Sequence, residues 1–188
     1  MFQKFSAFFC VILCTTSACA GDNFSVEQLA GERIEAMTES YALIDVKLNE
    51  QYQRMVKNPG FVDKKLLIEG ERLWIKYRDA GCKDMADEYG PGNIHDLAKL
   101  RCLASATSSR LTELIFIETG IVGDQFESAL SLIAEASSKG IDQIIAGVGL
   151  AKLTPEIEKY LSKSCELTFA RFKESREHCY ARLIFKDI

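Results

Sequence analysis

The sequence predicts an all-α protein, an antiparallel helical bundle that contains a disulfide-linked helical hairpin. Apolar residues recur at steps of three and four along most of the chain, and no segment shows sustained alternation of period two. The three prolines, Pro59, Pro91 and Pro155, fall between the periodic segments, where helix boundaries are expected. Two cysteines lie at equal distances from a glycine-rich turn, which places them opposite each other on neighbouring helices.

The composition is that of an ordinary globular protein. Of the 188 residues, 47% are apolar and 27% are charged, whereas a collagen-like or linker-like chain would need far more than 12 Gly and 3 Pro. With 23 Lys and Arg against 27 Asp and Glu, the net charge is −4. This balance argues against a nucleic-acid-binding protein that relies on overall basic charge.

Residues 1–20 have the pattern of a secretory signal peptide. Lys4, their single charged residue, precedes an apolar stretch that is too short to span a bilayer, and small residues follow up to Ala20. We therefore expect cleavage near Ala20, a periplasmic or secreted protein, and no transmembrane segment. Cys19 lies in a stretch that resembles a lipoprotein box with Thr16 where Leu is usual, which leaves a lipid anchor at Cys19 open.

Cleavage would leave four cysteines and change the net charge. Removal of Lys4 leaves 22 basic residues against 27 acidic ones, a net charge of −5. An even number of cysteines in an exported chain predicts two disulfides formed in an oxidising compartment. The four are Cys82, Cys102, Cys165 and Cys179.

Three periodic segments predict the long helices. The first begins at a capping box at Ser25 and ends at the turn 58–60. The second runs to Tyr89 and stops at a Gly-Pro-Gly turn centred on Gly92, and the third ends near Gly120. Their apolar positions are Ile34, Met37, Tyr41, Ile44, Leu48, Tyr52 and Met55, then Leu66, Leu67, Leu73, Trp74 and Tyr77, then Leu97, Leu100, Leu103, Ala104, Leu111 and Leu114.

The remainder of the chain also predicts helices. A fourth helix begins near Phe126 and ends near Gly140, and we interpret the apolar segment 141–153 as a short buried helix. A further helix is predicted from Thr154, which offers an N-cap ahead of a proline at the first helical position. We therefore divide the chain into the signal peptide 1–20, a helical domain 21–118 and a C-terminal helical extension 119–188.

The turn at Gly92 predicts the first disulfide. Cys82 lies ten residues before Gly92 and Cys102 lies ten residues after it, so both sit at the same height on antiparallel helices. The Cα atoms can then approach within bonding range, and closing this loop would contribute about 3 kcal/mol. Their pairing also disfavours crossed bonds to the other two cysteines.

The second pair requires a break in a helix. Fourteen residues of continuous helix between Cys165 and Cys179 would separate them by about 21 Å, far beyond bonding range. We favour a Cys165–Cys179 bond with a break near 173–176, although neither Gly nor Pro occurs between the two cysteines.

Several polar and aromatic residues of the hairpin could be structural. Trp74 and Arg110 are equidistant from the turn, but eight residues along each helix rotate the two side chains towards opposite flanks. We therefore expect Trp74 in the core, with Gly70 making room for it, and no cation–π contact. Arg78, Asp79 and Arg110 are expected to form local ion pairs.

Acidic residues are concentrated at the hairpin tip. Between positions 79 and 96 there are five acids and one base, so this segment carries −4 of the expected −5. Asp84, Asp87 and Glu88 occupy the last turns of the second helix, where the helix dipole disfavours them. One hypothesis is an acidic surface that steers a cationic partner; a solvated end kept for solubility stays open as the alternative.

Catalysis and metal binding find little support. The chain has two histidines, His95 and His178, and none of the familiar catalytic or phosphate-binding motifs. The acidic spacing lacks the EF-hand pattern. We therefore expect no enzyme activity, no catalytic residue, no metal and no cofactor.

The hairpin residues, together with Leu48, Asn49 and Tyr52 upstream, resemble the lysozyme-inhibitor LprI-like N-terminal domain family, a bacterial family. This resemblance assigns 21–118 as the family-like domain. It implies an exported envelope binding protein whose partner is a protein, with a basic lysozyme-type muramidase as the candidate, inhibited by occlusion of its cleft. The alternative is an immunity-like or scaffold protein that binds another envelope partner. The hairpin residues that carry the resemblance are Arg72, Leu73, Trp74, Tyr77, Arg78, Asp79, Cys82, Cys102, Leu103, Thr107, Arg110 and Leu114.

Overall fold

The computed structural model describes residues 26–121, 123, 125–148 and 153–186, and the regular structure of these residues is entirely helical. The predicted signal peptide, Cys19 and the Ser25 capping box lie outside the described residues. The all-α prediction is confirmed. The helices are α1 Val26–Lys57, α2 Lys64–Asp87, α3 Asn93–Thr119, α4 Gln125–Ser137, α5 Ile141–Val148, α6 Pro155–Phe172 and α7 Arg176–Lys186.

The helix ends follow local sequence chemistry. Helix α3 ends at Gly120, whose φ of 74° is the left-handed conformation that glycine adopts without strain, and its N–H donates to the Phe116 carbonyl. The Thr154 side chain accepts a hydrogen bond from the Ile157 N–H at the start of α6, and Pro155 occupies the first turn. These boundaries agree with the sequence signals.

Four long helices form the bundle. Helices α1 and α3 run parallel, because Gly31 lies against Asn93 at one end and Arg54 contacts Glu118 at the other. Helix α2 runs antiparallel to both of them. Helix α6 packs on α2, where the Tyr77 ring stacks on a tyrosine ring of α6 at a centroid distance of 5.2 Å. The hairpin tip therefore lies at the end of the bundle where α1 begins.

Two apolar clusters hold these helices together. The larger one joins α1, α2, α3, α6 and α7, while the smaller one joins α4 and α5 to α7. Helices α6 and α7 thus share a core with the first three helices. The larger cluster contains Leu48, Met55, Phe61, Leu67, Trp74, Leu114, Ile117, Tyr160, Leu161, Cys165, Leu167, Cys179, Tyr180 and Leu183.

Both predicted disulfides are present. The Cα atoms of Cys82 and Cys102 are 5.4 Å apart, and those of Cys165 and Cys179 are 5.7 Å apart. The helix break required by the second bond occurs where it was expected, because α6 ends at Phe172, the next residue adopts a left-handed conformation, and α7 begins only at Arg176. A non-glycine residue supplies this turn, which explains why no sequence signal marked it.

The described part of the predicted buried helix 141–153, residues 141–148, is less buried than expected, and residues 149–152 lie outside the described residues. It forms the helix α5, Ile141–Val148, in which Ile144 and Ile145 are buried while Ile141 is 42% exposed. Helix α5 packs on α7 and α4 with one face and leaves its other face in solvent. Among the described residues, no helix combines the length and the apolarity that crossing a membrane would require.

Candidate functional site

The aromatic and basic residues of the hairpin gather into one cluster around Trp74. As expected, Trp74 is a core residue, with 3% of its surface exposed. The Arg78 Cζ atom lies 4.8 Å from the centroid of the Trp74 ring, and the Arg110 Cζ atom lies 6.0 Å from it. The second distance is at the outer limit of a cation–π contact.

The expectation that Arg110 and Trp74 point to opposite flanks was therefore wrong. The helix rotation fixes only the direction in which a side chain leaves the backbone. The long side chain of Arg110 extends across the hairpin to Glu71, which lies one turn before Trp74. The role expected of Gly70 is also corrected. A Cβ atom there would lie 3.8 Å from Arg110 Nη2 and 3.9 Å from Ser164 Oγ, which are ordinary van der Waals distances, and its nearest neighbours do not include Trp74.

Arg110 forms a buried ion pair. Its Nε donates to Glu71 Oε2 at 2.9 Å, and the side chains of Arg110 and Glu71 are 1% and 9% exposed. Burial favours a lower pKa for Arg110, but Glu71, Tyr160 and Glu113 together outweigh this effect and the pKa is raised, so the guanidinium stays charged. Thr107, one turn earlier on α3, is fully buried. Arg110 and Thr107 therefore lie in the interior of the protein, where they contribute to the fold.

Arg78 and Asp79 form the local ion pair that was expected. The Arg78 Nη2 to Asp79 Oδ1 distance is 2.8 Å, and Arg78 also lies 3.8 Å from Asp45 of α1. A cavity of about 200 Å³ between α1 and α2 opens beside them and includes Asn49 and Tyr52 in its lining. The residues that suggested the family thus form the junction of α1, α2 and α3.

The acidic tip has two kinds of carboxylate. Asp87 contacts Lys83 and lies 3.5 Å from His95, and the Lys83 hydrogen bond lowers the pKa of Asp87. Asp84 and Glu88 are exposed, and neither forms an ion pair within the part of the chain that the structure describes. The uncompensated negative charge at the end of α2 therefore comes from Asp84 and Glu88.

Exposed apolar side chains accompany these acids. Met85 is 47% exposed and Tyr89 is 59% exposed, and both border a groove of about 520 Å³ between α2 and α3. The disulfide of Cys82 and Cys102 forms part of this groove, which also contains Arg101. Aromatic, methionine and arginine side chains are enriched in protein-binding surfaces, and all three kinds line this groove.

The sequence profile of the family described as "Lysozyme inhibitor LprI" matches residues 19–114, half of the chain. The chain belongs to the lysozyme inhibitor LprI family. No curated protein and no solved structure matches it. The LprI match contains α1, α2 and most of α3, with the hairpin and its disulfide, whereas α4 to α7 follow it.

A second buried ion network, which the sequence pattern did not predict, joins Glu113, inside the LprI match, to Glu174 and Arg182 beyond it. Arg182, which is fully buried, donates to Glu113 of α3 and to Glu174, and its Cζ atom lies 4.4 Å from the Phe116 ring centroid. Arg182 follows Cys179 by three residues on the buried face of α7. The three-residue spacing from Cys179 could have revealed this network. A basic residue on a helix face that is otherwise buried requires an acidic partner.

The two histidines and the four cysteines that the structure describes show no catalytic arrangement. His95 contacts Asp87 and Asp96 at the tip, and His178 contacts two glutamates at the other end of the bundle. Cys179 is bonded to Cys165, so it is not a free thiol beside His178. Over the described ranges, no group of three or more potential metal-ligating side chains is arranged to hold an ion.

Proposed function

We propose that the protein is exported and binds a lysozyme-type muramidase in the bacterial envelope, inhibiting it by covering its cleft. The observation that carries this proposal is membership of the lysozyme inhibitor LprI family across residues 19–114. This range includes the whole α2–α3 hairpin and its acidic tip. The protein would act as a binding protein, with no catalytic step of its own.

The cysteines and the position of the match support export. All four cysteines that follow residue 20 are joined in disulfides, as expected in a compartment where thiols oxidise. The family match begins at residue 19, beside the expected cleavage site near Ala20. We therefore place the mature protein in the periplasm or outside the cell.

The tip is the surface that we propose for contact. The family implies a lysozyme partner, and enzymes of that type are commonly basic, so a negative surface would accelerate their encounter. Asp84 and Glu88 supply that charge, while Met85 and Tyr89 supply apolar area that contact would bury. Because the disulfide joins α2 to α3 below the tip, the surface is held in shape before binding, which lowers the entropic cost of association.

The proposal is tested by titrating several lysozymes with the oxidised mature protein and measuring the rate of lysis. We expect lytic activity to fall in proportion to the added protein until the two are equimolar. A scaffold or immunity-like protein would leave lysis unchanged and would co-purify with a different envelope protein. Unchanged lysis with every lysozyme tested would refute the inhibitory function.

Charge reversal tests the contribution of the tip. The variant Asp84→Lys/Glu88→Lys should associate with a basic lysozyme at least about tenfold more slowly at low salt, and its association rate should depend less on salt. Glu135→Lys/Asp142→Lys is the matched control, because it makes the same change in net charge on α4 and α5. Equal slowing in both variants would show that net charge, rather than the tip, governs the encounter.

A further inference from the structure

His178 bridges two carboxylates that belong to different parts of the fold. Its Nδ1 lies 3.0 Å from Glu174 Oε1, in the link between α6 and α7, and its Nε2 lies 3.1 Å from Glu127 Oε1 on α4. The side chain is 30% exposed, and the Phe126 ring meets the imidazole edge-on at a centroid distance of 5.3 Å. The imidazole therefore connects α4 to α7.

Both contacts require the imidazole to donate. Glu174 is 9% exposed and also accepts two hydrogen bonds from Arg182, at 2.8 and 2.9 Å. Burial tends to raise the pKa of Glu174, but the hydrogen bonds and charge of Arg182, together with the hydrogen bonds of His178 and Thr168, outweigh burial and the pKa is lowered, so Glu174 is an ionised acceptor. Only the protonated imidazolium has two N–H groups and can donate a hydrogen bond to each of two carboxylates.

The neutral imidazole retains one N–H, and its other nitrogen presents a lone pair. Arg182 fixes Glu174 in place, so the bond to Glu174 persists and the lone pair faces the more exposed Glu127. A lone pair facing a carboxylate oxygen is repulsive. Loss of the proton to solvent therefore removes the contact with α4.

The other elements packed around His178 do not replace this contact. Helix α3 contributes Glu113, which is engaged by Arg182, and α5 presents Ile144 and Ile145 towards α7. Helices α4 and α5 otherwise join α7 through an apolar cluster that is separate from the main core. A segment held by so few buried contacts can open while the rest of the protein stays folded.

We propose that His178 is a pH-sensitive latch, which in its protonated form holds α4 and α5 on the bundle and in its neutral form releases them. Opening would uncover Phe126, which is 3% exposed when the latch is closed. This inference concerns residues outside the LprI match and does not depend on lysozyme binding.

Amide hydrogen exchange of the full mature protein tests the latch at about pH 5.5 and about pH 8, on either side of the range in which imidazole side chains titrate. After correction for intrinsic exchange rates, we expect the protection of α4, relative to α3, to be about fivefold lower at the higher pH. In Glu127→Gln the difference should disappear, because an amide can accept from an N–H and donate to a lone pair.

Glu135→Gln is the matched control, since it removes an exposed carboxylate from the same helix and should keep the full pH dependence. Nitrogen-15 spectra of labelled histidine should also show both His178 nitrogens protonated in the state that protects α4. Equal protection of α4 at the two pH values, or an unchanged pH dependence in Glu127→Gln, would overturn the proposal.

Discussion

Among the residues that the structure describes, the two largest fully buried side chains, Arg110 and Arg182, are both charged. Each one is held by carboxylates and lies against aromatic rings, so neither charge is left without compensation. Arg110 joins α3 to α2, and Arg182 joins α7 to α3 and to the link before α7. Such pairs contribute little net stability as intact units, but breaking one leaves an uncompensated charge in the core.

This asymmetry predicts the behaviour of the Glu71–Arg110 pair in a double-mutant cycle. Glu71→Leu alone should lower the free energy of unfolding by about 3–5 kcal/mol, whereas Glu71→Leu/Arg110→Met should cost much less than the sum of the single variants. Denaturant unfolding measures all three. The exposed pair Lys47 and Glu50 is the control, and its cycle should give about 0–1 kcal/mol. Additive costs at Glu71 and Arg110 would contradict the pairing.

A pH dependence is predicted from Glu174. Its pKa is lowered in the folded protein, so its ionised form stabilises the fold above the pKa of the unfolded chain, and this contribution is lost as the pH falls through the folded pKa. Glu174→Gln should therefore be less stable than the native protein at neutral pH, and the difference should shrink as the solution is made acidic. Denaturant unfolding at a series of pH values checks this. A difference that stays constant in acid would exclude the stabilising role of the carboxylate.

For the helices, the sequence predicted where each one lies along the chain better than which helices pack against each other. The turn glycines marked the ends of α2 and α3, and Pro155 marked the start of α6, because these residues have local conformational effects. The parallel packing of α1 on α3 and the packing of α6 on α2 were not predicted. Periodicity shows which face of a helix is buried, but it does not show which helix covers that face.

The same limit applied to the candidate site. The positions of Asp84, Asp87 and Glu88 at the end of α2 followed from the helix boundary. The contact of Asp87 with Lys83 is an i,i+4 pair within α2, which the spacing allows. The contact of Asp87 with His95 could not be predicted, because it depends on how the next helix returns beside the first. The long reach of Arg110 across the hairpin was missed for the same reason.

The two disulfides should have different functional effects. Each closes a loop of similar length, 20 residues for Cys82–Cys102 and 14 for Cys165–Cys179, so removing either should cost about 3 kcal/mol. Cys82→Ala/Cys102→Ala should also weaken binding to lysozyme, because it frees the hairpin tip, whereas Cys165→Ala/Cys179→Ala should not. Unfolding curves and binding constants, measured where both variants are folded, separate the two effects. Equal loss of affinity in both would argue against the tip as the contact.

At the scale of the whole molecule, the two ends of the bundle differ. The hairpin tip carries free carboxylates and exposed apolar side chains, while the opposite end contains the contacts of His178 with Glu174 and with Glu127 of α4. Helices α6 and α7 share the main core with α1 to α3, so they support the hairpin from outside the matched range. The proposed binding surface thus rests on a bundle built from both halves of the chain.

The most direct test of this account is amide hydrogen exchange of the oxidised mature protein, alone and bound to a basic lysozyme. Binding should increase the amide protection of residues 82–96 at the hairpin tip. The protection of α4 and α5 should stay unchanged when both measurements are made at one pH. Protection confined to the opposite end of the bundle, or no protection at saturating lysozyme, would contradict the claim that the acidic tip is the inhibitory surface.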